Sequence, residues 1–279
     1  MIDILLEPFA YNYMIRAMIV CLFVGGICGI LSTFLMLKGL SLMGDALAHA
    51  VVPGVVIAHF LALPYMLGAF FAGILAALSM ELVKRRTKLK EDAVIGVVFT
   101  GFLALGLVLI SARPTEFDVQ KIILGDVSSI SPSDAIQIML ISLIVIGFFI
   151  LKWKDVMLVF FDESQARAMG IAAKNYKLIF YILLSATIVT ALQSVGAAIV
   201  VSMVITPGAT AYLLTNKFSK LILFAAIFGA ITSSLGVYIS YFANASAGGL
   251  IIMFQTMLFL FTFIFAPKYG LLRLKAKVG

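Results

Sequence analysis

Apolar residues dominate the chain in runs of about twenty, and polar residues only punctuate them. At 1.5 Å per helical residue, such runs match the hydrocarbon core of a bilayer. In order they cover about 14–37, 44–62, 64–83, 92–111, 134–151, 176–194, 196–214, 221–242 and 249–266. The sixth and seventh are parted only at QSVG (193–196). Pro207-Gly208 inside the seventh predicts a break or kink, because proline removes a helix donor and crowds the preceding turn. A second stretch of small residues and breakers, GVYISYFANASAGGL (236–250), also predicts a discontinuous helix. The pattern therefore predicts an all-α integral membrane protein, a polytopic bundle of eight or nine transmembrane helices.

Composition agrees with this reading. The 279 residues are 63% hydrophobic and 12% charged, with a mean hydropathy of +1.17. A soluble domain carries roughly 25% charged residues, so this chain has too few to clothe a wet surface. No internal repeat, low-complexity tract or soluble segment divides it, and residues 1–279 read as one transmembrane domain. Cys21 and Cys28 fall in the first apolar run, where a free thiol behaves as a small hydrophobe. The opening MIDILLEPFAYNYMIR has no basic residue before Arg16 and does not read as a secretory signal.

The net charge of +7 invites a nucleic-acid reading, but the basic residues are scattered between apolar runs and form no patch. They do set an orientation. With nine spans and the N-terminus outside, every one of the 20 Lys and Arg residues except Arg16, Arg113 and Lys121 lies on the cytoplasmic side. That follows the positive-inside rule, with the C-terminus cytoplasmic. Of the longer connections, 111–134 lies outside and includes VQKIILG, a candidate surface helix; 152–177 lies inside.

One carboxylate stands inside an apolar stretch. The other acids flank spans or occupy loops, whereas Asp45 sits within GDALAHA (44–50). A charge near the bilayer centre costs roughly 2.5–3.5 kcal/mol on insertion scales, so such residues face a cavity or a partner. His49 follows at i+4, which places both side chains on one helical face. A carboxylate oxygen and an imidazole nitrogen converging there suit Mn²⁺, Fe²⁺ or Zn²⁺. The same spacing equally suits a plain hydrogen bond between two buried polar groups. His59, ten residues further on, is about 80° off that face.

Within the inner connection, FFDESQARAMGI carries a helix signature of its own. Asp162 reads as N-cap, Glu163 supports the first turn and Gly170 ends it. Such a helix either packs on the bundle floor or docks into a groove on a cytoplasmic partner. No GxxxxGK[ST] occurs, so the chain does not hydrolyse ATP by the P-loop route.

Four motifs in order, LKGLSLMGDALAHAVVPGV (37–55), FFDESQARAMGI (160–171), VSMVITPGATA (201–211) and SYFANASAGGLI (240–251), resemble the permease subunit of bacterial ABC importers for manganese, zinc and iron. The resemblance covers essentially the whole chain. It implies a fold similar to vitamin-B12-type importer permeases and a multi-pass place in the bacterial plasma membrane. It further implies a homodimer, two copies of a cytoplasmic ATPase that uses the ATP, and an extracytoplasmic metal-binding protein. Asp45 and His49 match the family's metal route, and residues 162–171 match its coupling helix, with Asp162, Glu163, Ala166, Arg167 and Gly170 toward the ATPase. Ser202, Pro207 and Gly208 are candidates for pathway or gating. The chain is then a transport subunit, not an enzyme, and holds no permanent cofactor. Its cargo is a divalent metal, manganese first and iron or zinc as alternatives. A siderophore, haem or cobalamin permease and an ion-gradient-driven secondary transporter are the remaining alternatives.

Overall fold

The computed structural model describes residues 5–112, 127 and 130–266. The helix expected in VQKIILG and the basic tail beyond 266 fall outside the described residues. After a short 3-10 helix, Glu7–Ala10, the chain forms α1 (Asn12–Lys38), α2 (Met43–Ala50), α3 (Val52–Phe60), α4 (Tyr65–Arg86), α5 (Glu91–Ala112) and α6 (Pro132–Phe161). It continues with α7 (Glu163–Ala168), α8 (Ala173–Val195), α9 (Ala197–Leu214), α10 (Phe218–Ala243) and α11 (Ala247–Phe265). No strand occurs among the described residues. The long helices are apolar on nearly every face, as expected where neighbours are other helices or lipid.

Among the described residues, eight crossings are long and apolar enough for a membrane: α1, the α2–α3 pair, α4, α5, α6, α8, α10 and α11. The apolar part of α9, Ile199–Leu214, is shorter. Its course is clear from packing. Ile199 lines a cavity with Met14, Val195, Tyr241 and Gly248 at one end of the bundle. Further along α9, the Gly208 N–H donates to Ser32 Oγ, late in α1. Of the alternatives eight or nine, the described residues therefore show eight candidate crossings, with α9 a shorter apolar helix packed among them.

One end of this bundle is basic. Lys38 Nζ donates to the Phe160 carbonyl at 3.3 Å, Lys177 reaches Glu81, and Trp153 stacks on Phe218 at 6.4 Å between centroids. These contacts gather the ends of α1, α4 and α6 with the starts of α8 and α10. Beneath them Phe34 is fully buried among Phe149, Phe218 and Phe180, at centroid distances of 4.8, 5.1 and 6.1 Å. Each such pair adds about 0.5–1.5 kcal/mol beyond its buried area. At the opposite end Tyr11 meets Tyr241 at 5.8 Å, and Arg16 donates to the Ile130 carbonyl.

Helices in lipid gain little from hydrophobic burial against each other, so close approach must supply the attraction. The α1–α10 seam shows how: a Cβ on Gly25 would strike the Gly229 carbonyl, and one on Gly29 the Ala225 carbonyl. Gly54 and Gly68 lock α3 to α4 in the same way.

Three sequence expectations change. The run 44–62 is two half-helices, not one helix: Pro53 has no N–H for the His49 carbonyl, and the helix is interrupted at Val51. By contrast Pro207 lies inside α9, which continues to Leu214 without a break. There Ser32 donates to the Ile205 carbonyl and accepts from Gly208 N–H, both at 3.0 Å, so polar groups beside the proline find partners. Residues 236–250 contain an ordinary interhelical turn, with Asn244 in the left-handed region at φ 48° and Ser246 capping α11.

Candidate functional site

The short helix α2 is enclosed on three sides. Ala46, Leu47, Ala48 and Ala50 are buried, and Gly44 admits the Val204 side chain of α9 so closely that a Cβ would lie 2.8 Å from it. What remains open is the stripe of Leu42, Asp45, His49 and Val52, spaced as one helical face. Asp45 stands in the first turn of α2 and His49 in the last.

Asp45 Oδ1 and His49 Nε2 are 3.5 Å apart, with 40% and 33% of their side chains exposed. This is too long for a strong hydrogen bond. It is close to the roughly 3.4 Å that separates two ligands held at about 2.1 Å in a tetrahedral site. The His49 ring leans on Phe99 of α5 at 6.0 Å between centroids, which steadies it from one side. Among the described residues no group of three or more His, Cys, Asp and Glu side chains converges here or elsewhere. The pair by itself supplies half of a four-coordinate site.

Depth follows from the same neighbours. Leu40 and Met43, just before Asp45, share a cavity with Glu81, Lys84 and Glu91 of the basic end. Asp45 therefore lies toward the basic end of the bundle, and His49 about one turn, roughly 6 Å, further along. His59 is on the other half-helix, with Nδ1 3.0 Å from Tyr65 Oη, away from the Asp45–His49 face.

At the basic end α7 forms beside the bundle. Asp162 Oδ1 accepts from the Ser164 and Gln165 N–H groups at 2.9 and 3.0 Å. Gly170, at φ 78°, turns the chain out of the helix, and Ala166 is fully buried beneath it. Glu163 accepts from Arg167 on its own helix and from Lys177 on α8. Burial alone raises its pKa, but the bonds from Lys177 and Arg167 prevail and hold it at about 2.

The other candidates are dispersed. Ser202 Oγ donates to Gln255 Oε1 of α11 at 2.9 Å and lies 3.3 Å from Thr206 Oγ1. Pro207 and Gly208 are buried against α10 and α1, with Gly208 on Ser32. Neither joins Asp45.

A cluster the sequence did not reveal lies between α7 and α2. Glu81 accepts from Arg85 at 2.8 Å, Tyr181 at 2.9 Å and Lys177 at 3.4 Å. Its side chain is only 14% exposed, although the chain position looks like the flank of a basic loop. The i,i+4 spacing of Glu81 and Arg85 was its one local signal.

Among the described residues, the fold is that of a polytopic membrane protein, with an open N/O donor pair on a broken helix. The chain belongs to the ABC 3 transport family, whose profile matches residues 10–266, and is the permease subunit of a metal ABC transporter. It is 57% identical over 98% of its length to a Haemophilus influenzae protein described as a probable iron transport system membrane protein, covering 96% of that relative. It is 45% identical over 96% of its length to the manganese transport system membrane protein MntB of Synechocystis, covering 88% of that chain. Among solved structures, PsaBC from Streptococcus pneumoniae in complex with Fab matches with a TM-score of 0.86 and 36% identity, covering 99% of this chain and all of that one.

Proposed function

We propose that this permease imports a divalent first-row metal, Mn²⁺ or Fe²⁺, with Asp45 and His49 as its transient ligands. The half-exposed donor pair on an otherwise enclosed helix is the observation that carries this reading. Relatives named for iron and for manganese transport support the choice of cargo. A carboxylate and an imidazole accept both ions.

Two donors hold a metal weakly, which suits a conduit. A second copy of the chain facing the first across the α2 stripe raises the count to four, and the homodimer then encloses the path. An extracytoplasmic metal-binding protein delivers the ion at the Tyr11–Tyr241 end. Two ATPase copies dock at the basic end against α7, where Asp162, Glu163, Arg167 and Gly170 face the partner and buried Ala166 seats the helix on the bundle. This puts the N-terminus outside and the C-terminus in the cytoplasm, in accord with the basic end of the bundle. Ser202, with Gln255, is a further polar point on the way; Pro207 and Gly208 serve packing.

The test is uptake of radiolabelled Mn²⁺ and Fe²⁺ by proteoliposomes containing the complete transporter. Wild type accumulates metal with ATP, and the double variant Asp45→Ala, His49→Ala does not. Accumulation by the double variant at the wild-type rate overturns the assignment.

A further inference from the structure

From α7 a chain of hydrogen bonds runs through α8 to α4 and ends at a small cavity that α2 also lines. Lys177, near the start of α8, donates to Glu163 of α7 and to Glu81 of α4 with one ammonium group. Only 13% of its side chain is exposed. Glu81 is fixed in turn by Arg85 and Tyr181. Its neighbour Met80 and Tyr181 line the cavity that also contains Leu40 and Met43, and Met43 is the first residue of the helix that carries Asp45. Beside this contact is a second cavity of about 300 Å³ lined by Lys38, Leu40, Glu81, Glu163, Lys177 and Tyr181.

We propose that Lys177 is a positioning residue for transport: it carries displacement of α7 to the half-helix that bears Asp45 and His49. The inference rests on the reading that an ATPase docks at α7.

The physical case has three parts. A charge-assisted hydrogen bond to a carboxylate is about twice as strong as a neutral one, and an enclosed one is little screened. A shift of Glu163 therefore draws Lys177 with it instead of sliding past. Removing the ammonium leaves Glu163 and Glu81, two acids on different helices, without their shared cation, a loss felt most at the more enclosed Glu81. Finally, α2, though packed on three sides, is a helix distinct from α3. It is separated from α3 at Val51, while α3 is fastened to α4 through Gly54 and Gly68. The cavity supplies the space in which the cluster rearranges.

The experiment compares the complete transporter in proteoliposomes carrying wild type, Lys177→Met or Lys177→Arg, and reads metal taken up per ATP hydrolysed. Lys177→Met retains ATP hydrolysis to within about twofold, while uptake per ATP falls by on the order of 5- to 150-fold, the span of ordinary coupling free energies. Lys177→Arg, which keeps the cation, restores most of that ratio.

An unchanged ratio in Lys177→Met overturns the proposal. So does a parallel fall of hydrolysis and uptake that Lys177→Arg shares, because Lys177 would then only hold the fold. A wild-type complex that hydrolyses ATP without moving metal overturns the import reading itself, and the inference with it.

Discussion

The Asp45–His49 pair and the Glu81–Lys177–Glu163 cluster lie a few residues apart through Met43, yet one is nearly bare and the other saturated. Asp45 and His49 touch each other at 3.5 Å and leave a third or more of each side chain open. Glu81 accepts three hydrogen bonds and Lys177 serves two carboxylates, with under 15% of either side chain exposed. The bare pair keeps unused lone pairs, as the proposed metal route requires, whereas the filled cluster is occupied in binding helices to one another. In a low-dielectric setting a satisfied polar network stiffens what it joins, while an unfilled one is either a cost or a binding site.

The contrast breaks most visibly if the bare pair is needed for stability. Replacing both Asp45 and His49 by Ala is expected to lower metal affinity by on the order of 10- to 100-fold or more, a range that even residues supporting a metal ligand reach. The thermal midpoint of the purified protein stays close to wild type, because half-exposed groups without strong partners change stability by about 0.5 kcal/mol or less. Calorimetric metal binding and a melting curve in the same detergent check both halves. The filled cluster behaves in the opposite way. Glu81→Gln keeps the shape but weakens three bonds, and it is expected to lose about 1–3 kcal/mol of stability, read as a lower melting midpoint.

A smaller effect is expected at the α7 cap. Asp162→Ala removes the acceptor for two N–H groups and costs about 0.5–2 kcal/mol locally, so the Ser164 and Gln165 amides exchange faster while those of α8 do not. The filled cluster also gives a pH response, at Glu163. Its pKa is held at about 2 against 4.5 when free. A depressed carboxylate contributes stability above its free pKa and loses it as the proton returns. The Lys177–Glu163 link is therefore complete above about pH 4.5 and fails as pH falls from there through about 2. The drop in melting midpoint across that window shrinks in Glu163→Gln.

Much of the fold was legible because hydropathy reports desolvation residue by residue, and membrane spans are defined by just that quantity. The cap at Asp162 and the stop at Gly170 were legible for a related reason: both depend on local backbone groups. Asp45 stood out against its apolar surroundings. What the pattern hid depends on distant partners. Glu81 and Lys177 are 96 residues apart in the chain, and nothing local distinguishes a buried carboxylate at a span end from a solvated one. Pro207 looked like a breaker because Ser32, from another helix, is what satisfies the polar groups around it. Pro53, which does interrupt a helix, looked no different in sequence.

The central claim is that the metal meets His49. The chain has two histidines, so pulsed electron paramagnetic resonance of bound Mn²⁺ in the purified protein isolates the ligand. The account predicts imidazole-nitrogen modulation in wild type and in His59→Gln, and its loss in His49→Gln. Modulation that survives His49→Gln, or its absence from wild type with Mn²⁺ bound, would contradict it.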